Sequence, residues 1–211
     1  MSKKRLVALV LAPALLFATN VFACEGKTVV FEDDFKDDSG GWDLDKAMRF
    51  GASGLSVEIS TTGTIFKELN SAFVIKDGDL CLEAAFPAKA QNEPTVGVKF
   101  WAVDYQNFFL FQVSQTGKAS LWRQTAGKWA QIHEAEVPGI KKDPGASNLL
   151  RVTLKGNLIS VHVNGQKIRD QRGQAPTADA RFGFYFQIAQ PVAAAEARTF
   201  RAIRYKVTDV P

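Results

Sequence analysis

The 211-residue sequence is short of most of the groups on which chemistry is usually built. Its two cysteines, Cys24 and Cys81, form no C-x-x-C pair, which excludes the common zinc and thiol-redox motifs. Its two histidines, His133 and His162, stand apart, with no G-x-S-x-G elbow and no His-x-His pair nearby, so each reads as a surface residue rather than a base or a metal ligand. There is no glycine-rich phosphate loop, no internal repeat and no stretch with the 3.6-residue apolar period of an amphipathic helix. Apolar runs long enough to cross a bilayer, about 18 to 20 residues, are also missing.

The one shorter apolar run lies at the start. Lys3, Lys4 and Arg5 precede Leu6 to Phe17, and Val21-Phe22-Ala23 supplies the small residue at −1 that a signal peptidase requires, so residues 1–23 read as an export signal. Pro13 and Asn20 interrupt the run too early for an anchor. Cleavage after Ala23 removes three positive charges and takes the formal net charge from +4 to +1. With no basic run and no net field, neither nucleic acid nor an anionic membrane surface is an expected partner. Residues 24–211 fit one domain with a sizeable core, in the periplasm or secreted.

An even cysteine count in an exported chain favours a Cys24–Cys81 disulfide. The rivals are a lipid on Cys24, for which Val21-Phe22-Ala23-Cys24 is a loose lipobox lacking Leu at −3, and two free thiols. The acidic cluster Asp33, Asp34, Asp37, Asp38, Asp43 and Asp45 invites a calcium reading. Its spacing fails the EF-hand pattern, so a solvated acidic loop is the better explanation and no cofactor is expected.

What the sequence has in abundance is period-two alternation. Between residues 96 and 124, Val96, Val98 and Phe100 alternate with Gly97, Lys99 and Trp101; Asp104 to Asn107 turns; Phe109, Phe111 and Val113 alternate; and Thr116-Gly117 turns the chain into Ala119 to Trp122. This is a β-meander with one apolar face. Before it, Thr28 to Phe35, Gly54 to Ser60, Phe66 to Ile75 and Leu80 to Phe86 read as strands, with Asp77-Gly78 as a hairpin signal between the last two. After it come Lys128 to Ala135, the Leu150, Val152, Leu154 face, the Ile159, Val161, Val163 face, Asn164-Gly165 turning into Gln166 to Ile168, the Phe182, Phe184, Phe186, Ile188 stripe, and Phe200 to Thr208. About a dozen strands at this spacing predict an all-β, two-sheet antiparallel sandwich.

The order FEDDF…GW, VGVKFW, NFFLFQVSQTGKASLWRQTAGKW, NLLRVTLKGNLISVHVNGQKI and FGFYF resembles the concanavalin A-like jelly rolls of the laminin-G and pentraxin-like superfamily. Within it the chain is most similar to bacterial exported domains described as 3-keto-disaccharide hydrolases. The resemblance runs from Val30 to Val207. It implies a jelly roll with its first and last strands adjacent, and a hydrolase as one alternative function.

The laminarinase-type glucanases of that superfamily carry E-x-D-x-x-E, and this sequence does not. Glu134 and Glu136 share a strand side but read as a solvated strand end, so no catalytic residue is assigned. If Phe100, Phe111, Leu121 and Phe184 point inward, alternation places Lys99, Trp101, Gln112, Trp122, Gln124, Tyr185 and Gln187 on the opposite face. Aromatic rings stack on sugar faces while amides and ammonium groups bind hydroxyls. The expected function is therefore glycan or envelope-ligand binding without catalysis, with a purely structural interaction module as a third alternative.

Overall fold

A computed structural model describes residues 24–211; the export signal expected over residues 1–23 lies outside the described residues. The chain is all-β, with fourteen strands in two antiparallel sheets and a single 3-10 turn at Ala195–Ala197 among the described residues. The strands are β1 (Val29–Asp33), β2 (Met48–Arg49), β3 (Leu55–Glu58), β4 (Ile65–Leu69), β5 (Gly78–Ala85), β6 (Thr95–Asp104), β7 (Asn107–Ser114), β8 (Lys118–Thr125), β9 (Lys128–Glu136), β10 (Ser147–Lys155), β11 (Leu158–Val163), β12 (Gln166–Arg172), β13 (Arg181–Gln187) and β14 (Thr199–Thr208). An eight-stranded sheet runs β12-β11-β10-β5-β14-β3-β2, with β1 also on β14, and a six-stranded sheet runs β4-β13-β6-β7-β8-β9.

The meander expected at residues 96–124 is β6-β7-β8, and it continues into β9. Its turns form where the local chemistry asks for them: Gly117 at φ +96, and Ala126 and Gly127 at φ +48 and +78, the left-handed pair that a two-residue hairpin needs. The Asp77-Gly78 hairpin does not form. β4 and β5 lie in opposite sheets; in the segment between them Ile75 bridges Ala180, just before β13, and the Lys76 carbonyl accepts from Trp101 Nε1.

β14 is hydrogen-bonded along both edges. β5 takes one edge from Arg201 to Thr208, while β3 and then β1 share the other, at Thr199 to Ala202 and Tyr205 to Thr208. The termini are thus paired, as the resemblance implies. Facing rows of the two sheets, including Leu80, Leu82, Val98, Phe111, Val152, Phe184, Phe186 and Phe200, make one continuous core.

On the far side of the eight-stranded sheet, Cys24 is joined to Cys81 across a sequence separation of 57, with Cα atoms 5.8 Å apart. Beside the bridge Asp79 is fully buried, and its carboxylate accepts from Arg151 Nε at 2.8 and 2.9 Å, from Thr153 Oγ1 at 2.9 Å and from the Glu25 backbone N–H at 2.8 Å. A buried charge is tolerable when it is paired and hydrogen-bonded this fully.

Candidate functional site

The outer face of the six-stranded sheet, turned away from the core, carries a second apolar cluster of Leu69, Ala102, Phe108, Leu110 and Tyr185, with Tyr105 and Trp122 against it. The five members of the cluster are themselves buried; the large apolar side chains left open on this face are Trp129 and Ile65, with Trp122 half-buried. Across it lies a depression of about 300 Å³ lined by Ile65, Leu110, Gln112, Trp122, Trp129, Tyr185 and Gln187. Four of the seven residues expected from the sequence, Gln112, Trp122, Tyr185 and Gln187, meet there.

The rings are set edge to face, Trp122 to Trp129 at 6.2 Å between centroids and Trp129 to Tyr185 at 6.1 Å. Trp122 Nε1 donates to Ser120 Oγ at 2.8 Å and the Tyr185 hydroxyl to Gln187 Oε1 at 3.2 Å, which fixes both rings. Gln112 Oε1 and Thr95 Oγ1 are buried without a hydrogen-bond partner among the described residues. Both atoms call for a ligand or solvent partner, since a buried unpaired polar atom costs roughly 1–3 kcal/mol. A polar continuation of about 270 Å³ shares Gln112 and Trp122 and adds Glu93, Thr95, Lys118 and Glu134.

The other three expected residues are placed differently. Trp101 belongs to the core side: its ring packs edge-on to Phe109 at 5.5 Å, its Nε1 donates to the Lys76 carbonyl at 2.8 Å, and 3% of its surface is exposed. The cause is a β-bulge. Lys99 pairs Gly183 but Ala102 pairs Arg181, so β6 holds one residue more than β13 over that interval, and Trp101 takes φ +47. One extra residue reverses every side chain beyond it, which is why Ala102 joins the outer cluster.

Lys99 does lie on the outer side, yet it is fully buried, its Nζ 4.3 Å from the Phe108 ring centroid and 4.7 Å from that of Tyr105, so it meets no ligand. Burial, reinforced by Lys67, pushes its ammonium down to about 7. Gln124 is 7% exposed and its Nε2 is tied to the Gly127 carbonyl at 3.2 Å, away from the depression.

Trp129, 40% exposed, is the ring that the sequence reading missed. Its signal was the Ala126-Gly127 turn: a two-residue hairpin puts Gln124 directly opposite Trp129 and hence on the same face.

At the other end of this face, the Tyr105 hydroxyl contacts both Glu68 Oε1 and, at 2.9 Å, Asp43 Oδ2, and Arg181 Nη1 reaches Asp43 at 3.3 Å. Burial pushes the Glu68 carboxyl up, against the hydrogen bonds from Tyr105 and the Leu69 N–H that pull it down. Four of the other acidic residues of the early cluster are engaged locally: Asp33 accepts from Trp42 Nε1 and Phe35 N, Asp34 pairs with Lys36, Asp37 accepts from Ser39 N and Asp45 from Ala47 N.

No protein-family model and no curated protein sequence matches the chain. Solved structures do match in fold. A carbohydrate-binding module, CBM66 from Bacillus subtilis, superposes with a TM-score of 0.59 at 14% identity, covering 81% of this chain and 93% of that one. A Bacillus licheniformis beta-glucanase gives 0.61 at 12%, covering 85% and 97%. A Bacillus subtilis protein of unknown function with a galectin-like fold gives 0.63 at 11%, covering 88% and 97%. The fold is therefore the concanavalin A-like and galectin-like jelly roll, shared by carbohydrate-binding modules and glycoside hydrolases. At these identities the likeness is one of fold.

Proposed function

We propose that the protein is an exported carbohydrate-binding jelly-roll protein whose ligand lies across the outer face of the six-stranded sheet. The observation that carries this reading is the pair of accessible rings, Trp122 and Trp129, beside a shallow depression floored by the buried Tyr185 and lined by Gln112, whose Oε1 has no partner. Rings cover the apolar face of a sugar, and an unpaired amide oxygen takes a hydroxyl hydrogen. Export is supported by the disulfide and by the signal-like residues 1–23. No helix of the described residues is long and apolar enough to cross a membrane.

The test is a glycan-array screen of the mature protein followed by calorimetry. Trp129→Ala should weaken binding by about 1–3 kcal/mol, the size of an aromatic anchor, and leave the melting temperature close to that of the parent. Unchanged affinity in Trp129→Ala and in Trp122→Ala would overturn the reading.

One observation favours a hydrolase acting on a modified disaccharide: Glu68 and Asp43 flank Tyr105 on the same face, and paired carboxylates are what glycoside hydrolysis needs. Against it, the Tyr105 hydroxyl occupies the space between them. Turnover of a 3-keto-disaccharide that is lost in Glu68→Gln would establish this alternative.

A further inference from the structure

The depression beside Trp122 and Trp129 is lined without a single charged side chain. An ionised ligand group seated in it would lose water and gain no counter-charge, which is costly, so neither a carboxylate nor an ammonium belongs there. What the lining offers is of two kinds: Leu110, Ile65 and the Tyr185 ring are apolar, while Gln112 and Gln187 are carboxamides.

These groups share one surface because paired strands keep parity. Tyr185 lies opposite Gly97, Gly97 opposite Gln112, and Leu110, two residues before Gln112 on β7, opposite Trp122. Gly97 is therefore the place where the row from Tyr185 to Gln112 has no side chain. A Cβ there would fall 2.8 Å from Leu110 Cδ1 and 3.0 Å from Gln112 Cβ, so the glycine lets both side chains lie low against the sheet and leaves the hollow above them.

Gln112 is half-buried, and its side chain makes no hydrogen bond among the described residues. Oε1 is the buried atom of its amide, so Nε2 is the one turned outward, a donor at the edge of an apolar hollow. Gln187 accepts from the Tyr185 hydroxyl at 3.2 Å and keeps its own Nε2 without a partner among the described residues. Donors beside an apolar floor fit a ligand group with a carbonyl at one end and a methyl at the other. A sugar hydroxyl satisfies the donor but leaves Leu110 and Tyr185 uncovered, whereas an acetamido group does both.

We propose that the sugar seated in this depression is an N-acetylated hexosamine, its pyranose face on Trp122 and Trp129, its acetamido carbonyl accepting from Gln112 Nε2 and its methyl on Leu110 beside Tyr185. Trp122 sits opposite Leu110 on the neighbouring strand, and Gln112 is the next residue on that face of β7. Neighbouring strands lie about 4.8 Å apart, so a ring resting on Trp122 brings a substituent over Leu110 and Gln112. The inference rests on the carbohydrate-binding reading above and adds to it the substituent that the site selects.

The test is an NMR titration of the isotope-labelled mature protein with the methyl glycosides of N-acetylglucosamine, N-acetylgalactosamine, glucose and glucosamine in turn. At least one acetylated sugar should move the Gln112 side-chain amide and the Trp122 and Trp129 indole N–H resonances. It should bind about tenfold or more tightly than glucose and glucosamine, the effect of one hydrogen bond and one buried methyl. Saturation transferred from the protein should be strongest at its acetamido methyl. Gln112→Leu, close in size and without the donor, should remove most of that preference and leave the melting temperature near that of the parent, since the Gln112 side chain bonds to nothing in the protein. Glucose or glucosamine binding as tightly as the acetylated sugars would overturn this proposal and leave the carbohydrate-binding reading standing. So would a preference that survives intact in Gln112→Leu. No shift with any of the four sugars overturns it as well, and a glycan screen that then finds no ligand takes the carbohydrate-binding reading with it. The comparison of the four sugars uses the unmodified protein, so it decides the matter even where the variant folds poorly.

Discussion

Lys99 occupies a position where its charge is a burden. Its Nζ has no hydrogen-bond partner among the described residues, two aromatic rings cover it, and the groups around it are Lys67, Glu68, Arg181 and Asp104. With the folded-state value near 7 and the ordinary value at 10.5, the unfolded chain holds the proton between those pH values and the native chain has lost it. Stability should therefore rise with pH from about 7 to 10.5. Lys99→Met, similar in shape and uncharged, should flatten that rise and stabilise the protein below pH 7, as urea unfolding at several pH values will measure. An unchanged slope would mean that the ammonium is solvated. Trp101 makes the opposite case: Trp101→Ala should cost about 3–5 kcal/mol, the price of emptying a core tryptophan site, and calorimetry should show a fall in melting temperature that Trp129→Ala lacks.

At the scale of the strand, what was legible in the sequence was whatever is decided locally. Alternation at Val96, Val98, Phe100 and at Phe109, Phe111, Val113, with turns at Gly117 and Asn164-Gly165, marked β6, β7, β8 and the β10-β11-β12 hairpins because side-chain period and turn chemistry depend on near neighbours. The bulge at Trp101 was not legible. It is set by how β6 registers against β13, some eighty residues further along, and no alternation rule encodes that pairing. The depression was half legible for the same reason: Gln112, Trp122, Tyr185 and Gln187 follow from parity, while Lys99 and Gln124 face outward but are covered by Phe108, Tyr105 and the Gly127 turn. Gly183 tests the packing of the edge strand. A Cβ there would fall 1.9 Å from the Glu68 carbonyl oxygen, a backbone atom of β4 that cannot rotate away. Gly183→Ala should push β4 off β13 and cost about 1–3 kcal/mol, visible as early hydrogen exchange at Phe66 and Glu68; full protection there would refute the close approach.

For the molecule as a whole, the Cys24–Cys81 bond ties the leading segment to β5, next to the buried Asp79–Arg151 pair. Closing a loop of this length is worth about 4 kcal/mol on the chain-entropy model. Replacing both cysteines by alanine should accordingly lower the melting temperature by roughly 10 °C in a domain of this size, and intact-mass measurement with and without reductant should differ by two hydrogens in the parent only. A lipid adduct on Cys24 would contradict the bridge.

β14 follows every other strand in the chain and yet lies in the middle of the eight-stranded sheet, with β5 on one edge and β1 and β3 on the other. During synthesis, then, β1, β3 and β5 emerge from the ribosome long before the strand that joins them exists. β1 and β3 have no place in that sheet until residues 199–208 are made, and under the export proposed above the last ten-residue strand would be the fastener closed once the chain is across.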